Sequence, residues 1–130
     1  MNKILLGSIL CLSLGSWVAQ PEDNICGIKN VQNVSNPAVI DWSSAMNITK
    51  EIKTLKKHKI DRKSARGRLL IADATDKVAR ASNFIMNKIE VDSVWKKITH
   101  PTKKALNITQ RVKDKINENQ KVKQVKYNYG

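Results

Sequence analysis

The sequence has little of several residue types, and each shortage excludes a class of protein. Its 130 residues include 5 Gly and 3 Pro, too few for collagen or a low-complexity chain. Its two cysteines cannot form a disulfide framework, because Cys11 lies in an apolar N-terminal run and Cys26 is then left as a spare thiol. Acidic residues are also few, 11 against 24 Lys and Arg, which gives a formal net charge of +13. With 41% hydrophobic residues, the chain is expected to fold as one small globular domain.

Motifs of catalysis are missing as well. The sequence contains no HExxH, GxSxG, Walker or GxGxxG pattern. Asp73 and Asp76 form the one close pair of carboxylates in a predicted helix. Their four-residue spacing to Lys77 and Arg80 favours intrahelical ion pairs over an acid–base site. His100 has no second ligand at metal spacing, and the proline after it predicts a turn. We therefore expect a protein that is not an enzyme and that holds no cofactor or metal.

The one long apolar run lies at the N-terminus. Lys3 supplies a positive charge, and residues 4–18 are apolar apart from small Ser, Gly and Cys, which is the pattern of a secretory signal peptide. We assign it to residues 1–19, with cleavage after Gly15, where Ser13 is the third-last residue, or near residues 16–19. A transmembrane helix is disfavoured, because the run is shorter than the ~20 residues needed to span a bilayer. The protein is therefore predicted to be periplasmic or secreted.

The next segments change from irregular to periodic. Residues 20–36 have no sustained hydrophobic period and are rich in turn-forming residues, so we expect a flexible leader. Pro37–Trp42 is a short β-favouring run that starts at a proline, as a strand can. Ser43 and Ser44 offer N-cap oxygens for a first helix, which is predicted over about Ala45–Lys59.

A second helix is predicted from Asp61 or Ser64 to about Lys88 or Ile89. Its apolar positions recur at alternating steps of three and four residues, which is the seam spacing of a coiled coil or helical hairpin. These positions are Ile71, Ala74, Val78, Ala81 and Ile85. Because the connection is short, we expect the two helices to pack antiparallel. The residues expected to face the seam are Ile48, Ile52 and Leu55.

The remaining chain returns to β-favouring residues. We expect a strand at Val91–Trp95, a second short strand at Lys103–Leu106, and a final helix that starts at Asn107 or Thr109 and includes Ile116. Residues 118–130 are polar and are expected to be a frayed tail. The predicted fold class is α+β, with a helical hairpin, or short coiled-coil arm, on a small β-sheet head and a short C-terminal helix.

Three segments of this chain resemble the Skp (OmpH) family of periplasmic chaperones for outer-membrane proteins. Ala38–Asp41 is similar to the first strand of that family, and Val91–Val94 is similar to the strand that follows its arm. Leu106–Thr109 together with Val112–Asn117 is similar to its closing helix. The matched region, 37–117, departs from the family in two ways. Asn107 stands where the family has Asp, and the stretch between the first two segments is shorter than the family's arm.

The resemblance implies a function and an assembly. A member of this family is expected to be a homotrimer whose heads join through the small sheet. Helical arms would project from the heads and hold unfolded outer-membrane proteins without catalysis. In this chain the arms would be short, because at ~1.5 Å per residue a helix over residues 61–88 is about 40 Å long.

Positive charge is concentrated in the predicted hairpin. Residues 49–130 contain 22 Lys and Arg against 8 Asp and Glu, and residues 50–68 are the densest stretch. We name eight of these cations the basic tip and predict that they bind clients or anions. They are Lys50, Lys53, Lys56, Lys57, Lys59, Arg62, Lys63 and Arg66. A concentrated field of this kind raises encounter rates with acidic partners by ~10–1000-fold at low salt.

Several partners fit a basic surface, and two functions stay open. The leading interpretation is a periplasmic holding chaperone for unfolded outer-membrane proteins. The alternative is a secreted basic protein that binds anionic lipid headgroups or polymers without chaperone activity. Nucleic acid is disfavoured, because the sequence has no zinc-finger spacing and no aromatic-bearing strand, and because export removes the chain from the genome. A third interpretation gives the charge no partner, since a solvated basic face also keeps a small protein soluble.

Overall fold

The computed structural model describes residues 15–129, with side chains through residue 122, and has the predicted α+β class. The first 14 residues of the expected signal peptide lie outside the described residues. The helices are α1 (Trp42–Asn47), α2 (Lys50–Lys57), α3 (Ala65–Ile89) and α4 (Thr109–Tyr129). The strands are β1 (Asn24–Gly27), β2 (Pro37–Val39), β3 (Ser93–Trp95) and β4 (Leu106–Asn107). Within residues 15–129, no helix combines the length and apolarity that crossing a bilayer requires.

The four strands form one mixed sheet in the order β1-β3-β2-β4. β1 runs antiparallel to β3, whereas β2 is parallel to both of its neighbours, β3 and β4. Ala38 in β2 is in register with Val94 on one side and with Leu106 on the other. The strands expected at 37–42 and 91–95 are therefore present in shortened form. The strand expected at 103–106 is displaced towards the C-terminus and occupies 106–107.

Helices cover one face of the sheet. Successive strand residues point to opposite faces, and Ala38 and Val94 belong to the core that lies under the helices. The other buried members of this core are Ile40, Ala45, Val78, Ala81, Ile85, Val91, Ile108, Val112 and Ile116. This core joins α1, α3 and α4 to the sheet.

A second, smaller core covers the opposite face. Val39 and Trp95, the strand neighbours of Ala38 and Val94, point into it. Its buried members include Trp17, Val34 and Ile98, which come from the segments before β1, before β2 and after β3. The sheet is thus covered on both faces within one chain.

The expectation of a flexible leader at residues 20–36 is wrong. This segment contains short 3-10 helices at Pro21–Asp23 and Val31–Asn33, and β1 lies between them. The carboxylate of Asp92 anchors the segment, because it accepts hydrogen bonds from the backbone N–H groups of Ser35 (2.6 Å) and Asn36 (3.0 Å). Partial burial raises the pKa of Asp92, but these bonds and those from the Ser35 and Ser93 hydroxyls lower it by more. Leader and sheet therefore form one folded unit.

The single helix expected over Ala45–Lys59 is two helices. α1 ends at Asn47, and the buried Thr49 starts α2 by accepting a hydrogen bond from the Ile52 N–H (3.2 Å). Its hydroxyl also donates to the Met46 carbonyl at 2.7 Å. Thr competes for backbone groups in this way, and the apolar period of the sequence does not reveal it. The cap of α1 is Asp41, which accepts from the Ser44 N–H, so Ser43 and Ser44 lie inside α1.

The seam of the long helix is buried as its spacing predicts, but α2 is only one of its partners. Ala74, Val78, Ala81 and Ile85 are all buried, and Ile71 is half-buried. Val78 and Ile85 pack in the core that the sheet and α4 share, and half-buried Ile48 packs against that core, whereas Ile52 and Leu55 are buried outside it. α2 packs on α3 as expected, but Ile52 and Leu55 do not join the core that holds Val78 and Ile85. α2 has 8 residues and cannot cover the 25 residues of α3, so the sheet and α4 cover the rest.

The polar tail expected over 118–130 is also wrong as far as Tyr129. α4 continues through this region to Tyr129, and Gly130 lies outside the described residues. The stretch contains no proline before that point, and its Lys, Glu and Gln residues are good helix formers. Gln120 is buried and accepts a hydrogen bond from the Lys50 N–H (2.9 Å), which ties α4 to the start of α2.

A charge at Val78 tests this packing. Val78 is 0% exposed, so Val78→Asp would bury an unpaired carboxylate between α3, the sheet and α4. We expect the free energy of unfolding to fall by about 3–5 kcal/mol, measured by urea denaturation followed by circular dichroism. Thr75→Asp, an exposed position on the same helix, is the control and should change stability by less than about 0.5 kcal/mol. Equal stability of the two variants would contradict the assigned core.

Candidate functional site: a basic tip between two helices

The basic tip occupies α2, the connection over residues 58–64 and the first turn of α3. All eight of its cations are exposed. Two contacts of Lys77 connect the start of α2, the middle of α3 and α4. Lys77 Nζ lies 2.8 Å from Glu51 Oε1, and the same lysine contacts the Gln120 side-chain oxygen at 3.2 Å. The densely charged residues 50–68 thus lie at one end of the helical layer.

The C-terminus of α2 ends in a Schellman motif. The N–H of Ile60 donates to the Leu55 carbonyl (2.9 Å), and the N–H of Lys59 donates to the Lys56 carbonyl (3.3 Å). This pair of bonds requires a left-handed residue between the helix and Ile60, and Lys59 takes that conformation with φ of 50°. Glycine is the usual residue there, because a side chain in the left-handed region is strained. Lys59 therefore carries its cation on a backbone conformation that is unfavourable for lysine.

The N-terminus of α3 fixes the other side of the tip. Ser64 caps the helix by accepting from the Gly67 N–H (3.0 Å), and its hydroxyl donates to the Asp61 carbonyl (2.6 Å). Asp61 Oδ1 in turn accepts from the Lys63 N–H (2.9 Å). A Cβ on Gly67 would collide with the Asp61 carbonyl oxygen, so only glycine lets the connection approach the helix this closely. The connection is thus held by its own hydrogen bonds.

The tip has an excess of positive charge that nearby acids do not neutralise. Among the described residues, none of its eight cations forms an ion pair, and the Lys56 ammonium donates to the neutral Asn47 amide oxygen (2.8 Å). Of the two acids in residues 50–68, Glu51 is half-buried against Lys77, and Asp61 is engaged by the backbone of the connection. Glu51 Oε1 accepts no hydrogen bond of regular geometry, so its contact with Lys77 is an ion pair. The tip can therefore bind anionic groups.

The other sequence candidates lie away from the tip. Asp76 pairs with Arg80 (2.9 Å) as predicted, but Lys77 pairs with Glu51 of α2 instead of Asp73. Cys26 lies on β1, and burial raises the pKa of its thiol to about 11, which keeps it protonated and unreactive at neutral pH. In the described part of the chain, no three His, Cys, Asp or Glu residues cluster closely enough to hold a metal ion.

His100 takes part in a turn, as predicted. Its Nδ1 accepts from the N–H groups of Thr102 and Lys103, both at 3.1 Å. Its ring also stacks obliquely on Trp17, with the ring centroids 4.8 Å apart.

Two features of the tip were not visible to sequence reasoning. The charge of Lys59 predicts its place in the tip, but its left-handed backbone follows from the termination of α2 without a glycine. Leu69, in the second turn of α3, is 63% exposed and adds an apolar group beside the cations. Its position just outside the three-four seam is the one sequence signal that could have found it.

Comparison with known proteins adds no relative to this description. Models of protein families, curated proteins and solved structures all give no match to the chain.

A glycine at position 59 tests the strain. Lys59→Gly removes the left-handed penalty, so we expect the free energy of unfolding to rise by about 1 kcal/mol in urea denaturation. Lys59→Ala removes the charge but keeps the strained backbone, and it should leave stability unchanged or slightly lower. A stability gain from alanine equal to that from glycine would mean that charge repulsion at the tip, and not backbone strain, is what the substitution relieves.

Proposed function

We propose that the protein is an exported holding chaperone that binds unfolded outer-membrane proteins, with the basic tip as its contact surface. One observation carries the proposal: eight exposed cations, which form no ion pair with any described residue, are gathered on α2, the connection and the first turn of α3. A surface of this kind attracts acidic segments over a distance of about one Debye length, ~8 Å at physiological salt.

Lys59 supports a binding role for the tip over a solvated face. Solubility requires charge, but it does not require charge at a left-handed position, where glycine would be more stable. Glu90, the C-cap of α3, is left-handed as well (φ 61°), so Lys59 is distinguished by its place among the cations of the tip. In this proposal the ammonium of Lys59 belongs to the contact surface.

The arrangement of the sheet supports the proposed likeness to the Skp family. The segments that carry the resemblance, 38–41, 91–94 and 106–109, are distant in sequence. β2 lies between β3 and β4 and is parallel to both, so the three segments are neighbours in one sheet. Adjacent placement is what a common head of that kind requires. In this proposal the head is the sheet with its two cores, and the short arm is α2 with the first half of α3.

The dimensions limit how a client is held. The second half of α3 packs on the sheet, so only the first turns of α3 and the 8 residues of α2 remain to form an arm. An arm of this length does not enclose a large client. We therefore propose that acidic and apolar segments are held at the surface, with Leu69 supplying an apolar contact next to the cations.

A second candidate function is binding of anionic lipid headgroups or polymers without chaperone activity. The observation in its favour is that Leu69 is the one large apolar side chain beside the tip among the strongly exposed ones of the described residues. A holding chaperone gains much of its affinity from apolar contact, whereas a polyanion needs cations alone. The two candidates therefore differ in how salt affects binding.

Charge reversal at the tip tests the proposal. In the variant with Lys57→Glu and Arg62→Glu we expect association with a urea-unfolded outer-membrane β-barrel protein to slow by about 10-fold or more at low salt. The melting temperature should hardly change, because both side chains are exposed. Stopped-flow fluorescence measures the rate. Lys103→Glu with Lys104→Glu, exposed residues before β4, is the control of equal charge change.

Salt and vesicles separate the two candidates. Chaperone binding should survive moderate salt, whereas binding to a polyanion should weaken steeply. The same variants are mixed with phosphatidylglycerol vesicles and with phosphatidylcholine vesicles. Loss of vesicle binding alone would favour the second candidate, and unchanged binding to both client and vesicles would leave the tip without a partner.

We also propose that the chain assembles into a homotrimer through its sheet. β4 is an edge strand of two residues, and its Leu106 is 50% exposed, so another copy can add to this edge. Multi-angle light scattering should give the trimer mass, and Leu106→Lys should shift it to the monomer without loss of helicity. Val122→Lys, an exposed apolar residue on α4, is the control. A monomer mass for the unaltered protein at high concentration would refute the assembly.

A further inference from the structure

We propose that signal peptidase cuts this chain between Gly15 and Ser16, so that the mature protein keeps Trp17 as part of its folded core. The inference rests on the predicted signal peptide and is independent of what the basic tip binds. It chooses between the two cleavage regions that the sequence leaves open, and the choice comes from the packing of residues 17–19.

Trp17 belongs to the core on the face of the sheet opposite the helices. It is 8% exposed and packs in the cluster that contains Trp95, Val34 and Ile98. Its ring also stacks on His100. Trp95 is fully buried on the central strand β3, so removal of Trp17 would open this core to water.

The backbone next to Trp17 is also engaged. Val18 and Thr99 form an antiparallel bridge, in which the Val18 N–H donates to the Thr99 carbonyl (2.8 Å) and the Thr99 N–H donates back (3.0 Å). Ala19 packs against the same core. Gly15 and Ser16 are exposed. Among the described residues, burial in this core thus starts at Trp17, the second residue of the proposed mature chain.

The preference of the peptidase agrees with this boundary. Signal peptidases require small residues at the last and third-last positions before the cut. A cut after Gly15 places Gly15 and Ser13 there, and both are small. A cut after Ala19 places Trp17 at the third-last position, and a cut after Ser16 places Leu14 there. Packing and peptidase preference therefore select the same bond.

The reaction is hydrolysis of one peptide bond. Water adds across the Gly15–Ser16 amide, Gly15 leaves with a new carboxylate, and Ser16 becomes the new α-amino terminus. The peptidase and water supply everything that the step needs. The new terminus precedes Trp17 by one residue, so the released chain can close the second core without rearrangement.

Processing in cells tests the site directly. The full 130-residue chain is expressed in an exporting Gram-negative host, and the N-terminus of the product is read by intact mass and N-terminal sequencing. We expect it to begin at Ser16. A product that begins at Gln20 or at any other residue, or a chain that stays uncut, would overturn the proposal. Gly15→Leu should abolish this product, and Ala19→Leu should leave the cut unchanged, whether or not the variant then folds.

Stability of the released chain tests the structural reason. Chains that start at Ser16 and at Gln20 are produced without a signal peptide and melted under the same conditions. We expect the shorter chain to melt lower by about 10 °C or more, and Trp17→Ala in the longer chain to cause most of that loss. Val18→Ala is the control, since Val18 is 60% exposed and bonds through its backbone. Equal melting temperatures for the two chains would overturn the proposal.

Discussion

The fold depends on covering both faces of a sheet whose strands are only two to four residues long. Strands this short have few ladder hydrogen bonds, so burial of their side chains has to stabilise them. All three residues of β3 are buried, and the Trp95 indole N–H donates to the Ser93 hydroxyl within the core (2.8 Å). The helices cover one face. The other face is covered by Trp17, the segment before β2 and the loop after β3. Irregular segments therefore also contribute to the core.

The same anchoring explains how the basic tip is presented. The second half of α3 is held by the sheet and by α4, and the first half extends from that base to the connection with α2. Glu51, Lys77 and Gln120 form a polar junction that joins α2, α3 and α4. Distal to this junction, the short capped ends of α2 and α3 place the cations at the surface. A rigid support lets charges that repel one another stay close together.

Stability alone does not explain the composition of the tip. A glycine at position 59 would end α2 with less strain, and removal of some cations would lower the repulsion among those that remain. The chain has a large positive excess, and it could have placed these cations elsewhere on its surface. Their concentration on α2, the connection and the first turn of α3 is the observation on which the proposed contact surface rests. An acidic or anionic partner would offset the repulsion when it binds.

Several properties of the protein were decided by the sequence alone, because they depend on local spacing. The α+β class, the position of the long helix, its buried seam at Ala74, Val78, Ala81 and Ile85, and the gathering of cations at residues 50–66 all follow from hydrophobic period and charge density. The Asp76–Arg80 pair follows from the four-residue spacing within one helix. In each case, the residues that act together lie within a few helical turns.

Tertiary structure decided what required partners distant in sequence. β1 is a strand because β3 offers it an edge, although its own residues have no alternating pattern. α4 continues past residue 117 in a mostly polar stretch, and Gln120 in that stretch bonds to the start of α2. Thr49 divides the first predicted helix because its hydroxyl hydrogen-bonds to the Met46 carbonyl before it and to the Ile52 N–H after it. Trp17 joins the core because it packs with Trp95 and Ile98 on the face of the sheet that the helices do not cover. Local periodicity carries no information about such distant contacts, since their free energy arises only when the chain has folded.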